Sequence, residues 1–193
     1  QAAERVLNTL RFFWNAPQSP DPVNAAGYKG FFYHFLDMNT GLRFKQVELS
    51  TGDTVLLLGG ELSCQTYFDG QTAAGSEIRK LADDIYRRCD WTWFQKKHPL
   101  VSMGWHPESG FITAHWEGYN EAMLLYILAL GTPTHSIQPD AWQAWTRTYE
   151  WATFYDQPHV NFEPLFGHQY SHIWVDFRNI QDSYMRQKGI DYF

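Results

Sequence analysis

A mainly α fold is predicted by three features of the chain. Apolar residues recur at helical spacing in one segment after another. Aromatic, glycine-bearing loops separate those segments, and acidic residues repeatedly enter the loops just ahead of a helix. No interdomain linker, low-complexity stretch or short solenoid-type repeat interrupts the alternation. Helical hairpins packed around a common axis would produce such a pattern.

Val6, Leu7, Leu10, Phe13 and Trp14 form the apolar stripe of a first helix that ends before Pro17. Residues 15–26, rich in Pro, Asn and Ala, read as a loop. Segments 31–36 and 42–47 read as short strands able to pair across 37–41, whose Asp, Asn and Gly suit a turn. A helix is expected from about Thr51 to Tyr67. Gly59 and Gly60 weaken it by roughly 1 kcal/mol each relative to alanine, so they point to close helix packing. Ser76 reads as the N-cap of a helix carrying Ile78, Leu81, Ile85 and Cys89 on one side. Residues 105–112, with Pro107 and Gly110, read as an irregular hairpin or loop. The most apolar helix, 119–130, stops at Gly131-Thr132-Pro133. Pro139 opens a segment bearing Trp142, Trp145 and Tyr149, and 166–174 and 183–188 complete the helices.

A chain of 193 residues suits one domain with a sizeable core. Its 18% aromatic content is high, an excess that a large core, a ligand cleft or both would use. The net charge of −6 argues against a nucleic-acid partner, which needs a basic footprint. Lys96-Lys97-His98, the densest basic patch, reads as a solvated loop. No transmembrane helix is expected, because the apolar stretch 122–130 is too short to span a bilayer. No signal peptide opens the chain, although a trimmed sequence would look the same. Cys64 and Cys89 read as buried free thiols, with a disulfide between packed helices as the alternative. Nucleotide-binding glycine motifs are absent, and Ser50, Ser63 and Ser171 lack a nucleophile-elbow setting. No cofactor is expected.

Carboxylates among aromatic rings are expensive to desolvate, so they are either paired for structure or tuned for chemistry. Glu48 ends a strand-like segment just before a helix, and Glu117 precedes another helix. Either could accept backbone hydrogen bonds there or face a cleft. Glu121 follows Glu117 by four residues; on one helix the two would share a face and repel, raising one pKa, unless an arginine intervenes. Asp37 reads as a turn residue or a sugar contact, and Asp53 as a helix-start acid or a cleft acid. His168, His172 and Asp176 would line one side of a continuous helix. The spacing could suit zinc, yet the glutamate of His-Glu-x-x-His is missing, so hydrogen bonding is expected instead of a metal. Tyr33, His34, Trp105, Trp116 and Tyr119 could present flat faces to the C–H face of a sugar, whereas Phe32 reads as core. Arg43 and Arg178 read as structural partners of nearby acids.

The strings GYKGFFYHFLDMNTGLR (27–43), ELSTGDT (48–54), YRRCDW (86–91), WEGYNEAMLLY (116–126), LGTPTH (130–135), PLFGHQYSHIWVDFR (164–178) and MRQKGIDYF (185–193) resemble the glucoamylase-like family. That family includes bacterial endo-β-1,2-glucanases and a domain of cyclic β-1,2-glucan synthases. The resemblance implies an (α/α)6 barrel with short β-hairpins in its cleft loops. It also implies that 1–193 is one catalytic domain, the front part of a toroid incomplete at the C-terminus. Glycoside hydrolysis pairs a carboxylic acid that protonates the leaving oxygen with a second carboxylate. By resemblance those are Glu117, the first candidate for general acid, and Glu48, which would activate water or bind the sugar. Asp37, Asp53, Glu121, Tyr33, His34, Trp116, Tyr119 and His168 would contact substrate. The implied activity is endo-β-1,2-glucanase-type hydrolysis of a β-glucan; transglycosylation in a cyclic glucan synthase and non-catalytic glucan binding are the alternatives. A periplasmic or secreted location is implied too, and the oligomeric state stays open. Gly52 departs from the family pattern, where a bulkier apolar residue is expected.

Overall fold

A computed structural model describes residues 1–95 and 99–193. The basic patch at 96–98 lies outside the described residues. The chain is mainly helical, and its strands are short. Helix α1 (Ala2–Asn15) lies against α3 (Ala73–Arg88), which in turn packs on α2 (Thr51–Tyr67). Strands β1 (Gly27–Tyr28), β2 (Phe31–Tyr33) and β3 (Leu49–Ser50) precede α2. A short α4 (Trp91–Phe94) leads to β4 (Gly104–His106) and β5 (Gly110–Phe111). These five strands form one antiparallel sheet in chain order. Then follow α5 (Met123–Gly131), α6 (Ala141–Thr146), the hairpin β6 (Trp151–Phe154)–β7 (Gln157–Val160), α7 (Leu165–Tyr170), a 3-10 turn at Ser171–Ile173 and α8 (Ser183–Lys188).

Helix α2 matches its expected span because Ser50 caps it: the hydroxyl accepts from the Asp53 amide at 3.1 Å. Gly59 serves the packing expected of it, since a Cβ there would stand 3.1 Å from the Trp174 ring; nothing lies within 4 Å of one at Gly60. Helix α3 starts earlier than expected. Thr72, in extended backbone, takes the Gly75 amide at 3.0 Å, while Ser76 already lies in the first turn. Both cysteines are free thiols, Cys89 fully buried and Cys64 partly so.

Three expectations need correction. Segments 31–36 and 42–47 meet only at the Leu36–Arg43 bridge. Strand β2 pairs with β3 instead, and Arg43 gives its amide to the Ala25 carbonyl. Helix α5 begins at Met123, well after residue 119. Gly118 turns the chain at φ +71°, and the Asn120 side chain bridges the Glu117 carbonyl and the Ala122 amide, a local closure that competes with helix. Nor is 166–174 one continuous helix, because α7 tightens to the 3-10 turn after Tyr170.

The largest fully buried side chains of the core are aromatic: Trp91, Trp145, Tyr126 and Phe31. Tyr126 stacks on Trp145 with centroids 4.8 Å apart. Their polar edges hold the loop that follows β5. The Tyr126 hydroxyl donates to the Trp116 carbonyl at 2.8 Å, and the Trp145 indole donates to the Gly118 carbonyl at 2.8 Å. Buried Tyr and Trp need such partners, so packing of the core also fixes the 116–120 loop.

Candidate active site

Pairing of β3 with both β2 and β4 brings three distant segments together at the start of α2. The first supplies His34, the second Glu48, Ser50, Gly52 and Asp53, and the third Trp116 and Glu121. Together with Tyr170 they line a cavity of about 350 Å³, a size within the range of small-ligand sites.

His34 binds both nearer acids. Its Nδ1 stands 2.7 Å from Glu48 Oε1, and its Nε2 stands 3.4 Å from Asp53 Oδ2. The imidazole is stacked on Phe35, with centroids 4.3 Å apart and planes 12° from parallel. Asp53 also accepts from the Ser50 hydroxyl at 2.6 Å. Glu48 lies across Gly104: a Cβ at Gly104 would fall 2.9 Å from Glu48 Cγ. Trp116 donates its indole N–H to Thr51 Oγ1 at 2.8 Å, which anchors the ring at the first turn of α2. On the far wall, burial pushes the Tyr170 hydroxyl up to about 12, with the charges of Asp53 and Glu121 adding to the rise. Both acids therefore stand within electrostatic reach of Tyr170. One oxygen of Glu121, Oε2, is buried without a hydrogen-bond partner.

Four expected contacts thus share one cavity with Glu48: His34, Asp53, Trp116 and Glu121. Glu117 is exposed and lines a neighbouring cavity of about 620 Å³ with Tyr119, Asn120, Thr148 and Glu150. It does not share a helix face with Glu121, because both precede α5. Asp37 and Tyr33 line a third cavity, of about 500 Å³, that shares His34 and Asp53 with the acid cavity. The Asp37 carboxylate is occupied by its own turn: the amides of Thr40 and Asn39 hold it below the usual carboxylate range. Tyr33 is buried under the Arg43 guanidinium, 4.7 Å from its ring centroid. Arg43 binds Glu108 at 2.6 Å, and Arg178 binds Asp176 at 2.6 Å, so both arginines pair with acids as expected.

His168 lies elsewhere, its Nε2 2.9 Å from the Phe162 carbonyl and its ring against Tyr119. The helix breaks after Tyr170, between His168 and His172, so the three residues do not share one helix face; Asp176 stays within electrostatic reach of His172, and Arg178 holds that acid down at about 2. Among the described residues no group of three His, Cys, Asp or Glu side chains is arranged to hold a metal ion. Sequence reasoning missed Thr51, Gly104 and Tyr170 as parts of this site. Tyr170 lies inside the longest C-terminal motif and could have been weighed, but nothing in the spacing marks Gly104 as the rest for Glu48.

Residues 113–193 match the Glycoamylase family model, that of the glucoamylases. An exo β-1,2-glucooligosaccharide sophorohydrolase (non-reducing end) of Parabacteroides distasonis is 29% identical over 137 residues, 66% of this chain. The chain is similar to the glucoamylase-like family over these segments. A glucoamylase-type protein of Bacteroides uniformis superposes on this chain with a TM-score of 0.82 at 23% identity, over 94% of it. The endo-β-1,2-glucanase of Chitinophaga pinensis, solved with sophorotriose and glucose, gives a TM-score of 0.76 at 20% identity, also over 94%. The chain spans 19% of the sophorohydrolase and 46% of each of the two solved proteins. Its helical architecture is therefore that of the glucanase structures over the shared part.

Proposed function

We propose that the protein is a glycoside hydrolase of β-1,2-linked glucan, of the endo type, and that its helices form a sector of an (α/α)6 barrel. The observation that carries this reading is the convergence of Glu48, Asp53 and Glu121 with the Trp116 ring around one cavity. An aromatic face desolvates one side of a pyranose while carboxylates address its hydroxyls and glycosidic oxygen. The family relationship to β-1,2-glucan hydrolases supports the substrate class. Flanking cavities support the endo mode, because a chain could extend from the acid cavity past His34 and Asp53 on one side. We further propose a periplasmic or secreted location, in line with a polymeric glucan substrate.

In this reading Glu117 is the general acid. It is exposed on the loop that Tyr126 and Trp145 fix, so solvent can restore its proton after each turnover. Glu48 is the partner carboxylate, oriented by His34, and it activates water or binds the sugar beside the scissile bond. Asp53 and His34 position Glu48 and bind hydroxyls; Trp116 and Tyr119 offer ring faces.

A second assignment exchanges Glu117 for Glu121. It is favoured by one observation: Glu121 shares the cavity of Glu48 and keeps a buried, unpartnered oxygen that a glycosidic oxygen or sugar hydroxyl could engage. Isosteric Gln substitutions at positions 48, 117 and 121, assayed on linear β-1,2-glucan, separate the two. Loss of a general acid lowers kcat by about 10²–10⁴-fold. The first assignment predicts that loss in Glu117→Gln and Glu48→Gln; full activity in Glu117→Gln with loss in Glu121→Gln transfers the role to Glu121. If all three variants keep wild-type kcat, catalysis by these carboxylates is excluded.

A further inference from the structure

Gly52 occupies the second position of α2, where the backbone has no positive φ that would require glycine. In a helix, glycine costs about 1 kcal/mol relative to alanine. No local conformational requirement accounts for its presence. A side-chain contact does: a Cβ built on Gly52 would fall 2.9 Å from Trp116 Cζ2 and 3.4 Å from Cη2. The indole therefore occupies the space that any other residue would fill. Its N–H is tied to the hydroxyl of the adjacent Thr51 at 2.8 Å. One edge of the ring, from Nε1 to Cη2, is thus seated against the first turn of α2, by a hydrogen bond at the nitrogen and by the missing methyl beside Cζ2. Gly52 and Trp116 both line the cavity of Glu48, Asp53 and Glu121.

We propose that Gly52 is a positioning and specificity-determining residue: by omitting a side chain it seats the Trp116 indole as the platform for a glucosyl unit beside the cavity acids. The inference rests on the saccharide reading of that cavity. A methyl at position 52 pushes the six-membered part of the indole into the cavity, which narrows it and tilts the platform away from the sugar. A displacement of this size at a binding surface is felt in affinity more than in the chemical step when the acids themselves stay put.

The test follows the Trp116 indole N–H in nitrogen–proton correlation spectra, its signal being assigned as the one lost in Trp116→Phe. Sophorotriose serves as the probe. The wild-type signal is expected to shift on titration. In Gly52→Ala the signal is expected to start from a different position and to need about tenfold more sophorotriose for half its shift. In the Trp116→Phe background, adding Gly52→Ala is expected to cost no further affinity, measured calorimetrically, because the clashing ring atoms are gone. An unmoved indole signal in Gly52→Ala, no response of the wild-type signal to sophorotriose, or additive losses in the double variant would each overturn the proposal. Binding is read here without turnover, so a wild-type protein that binds sophorotriose at Trp116 but cleaves no glucan overturns the hydrolase reading and leaves this one standing.

Discussion

Glu61 lies on α2 two turns beyond Ser50-Thr51-Gly52-Asp53 and is only 4% exposed, with both carboxyl oxygens unpartnered. Burial raises its pKa from 4.5 to about 8, and the Arg88 charge only partly opposes the rise. The folded state thus binds this proton more tightly than the unfolded chain does. The resulting stabilisation is full below pH 4.5 and is lost as pH rises through about 8. At neutral pH the mismatch costs on the order of 3 kcal/mol. Glu61→Gln removes the ionisation, so its melting temperature should exceed that of the wild type near pH 8 and converge with it near pH 4.5. Parallel melting curves across that range would contradict the account. Helical periodicity does not single out Glu61, because a carboxylate on a helix is read as exposed until a neighbour covers it. By contrast, the two roles open to Asp37 were visible in its Asp-Met-Asn-Thr-Gly setting, and the turn bonds it makes are the ordinary ones for that string. The Glu48–His34–Asp53 contacts join residues up to 19 apart and depend on strand pairing that no local pattern specifies.

At the level of elements, capping decides where helices begin. Thr72 accepts the Gly75 amide at the start of α3, whereas Ser76 takes part only in a side-chain bond from Arg79. Thr72→Ala is expected to lower unfolding free energy by about 1 kcal/mol, and Ser76→Ala to leave it within about 0.5 kcal/mol. Urea denaturation of both variants checks this, and an equal cost at the two positions would contradict it. Span α1 was legible from its apolar spacing and the following Pro17, α2 from its apolar run behind the Ser50 cap, and α8 from the Asp182 cap and the Gly189 stop. The start of α5 was not. Its apolar run extends back to Tyr119, but the Asn120 side chain and Gly118 draw the preceding residues into a turn. The same turn separates Glu117 from Glu121 and sends them to different cavities. Hairpin β6–β7 escaped notice because its strands carry no clear alternation and its tip, Tyr155-Asp156, adopts positive φ without glycine.

Across the whole molecule, aromatic excess serves core and cleft together. Buried Trp145 and Tyr126 carry the polar edges that hold the 116–120 loop, and Trp116 on that loop forms a wall of the acid cavity. Helical apolar spacing made the mainly helical class legible before any coordinates, and the family motifs suggested the β-glucan reading. They could not supply which carboxylates face one another, since that depends on how β3 is sandwiched between β2 and β4. The central claim is that this assembly cleaves β-1,2-glucan within the chain. Separating the products of linear β-1,2-glucan by size during digestion tests it most directly. Short linear oligosaccharides of mixed length, formed early and absent with Glu48→Gln, are the predicted result. An unchanged polymer, cyclic products, or release of sophorose alone from the first time point would contradict it.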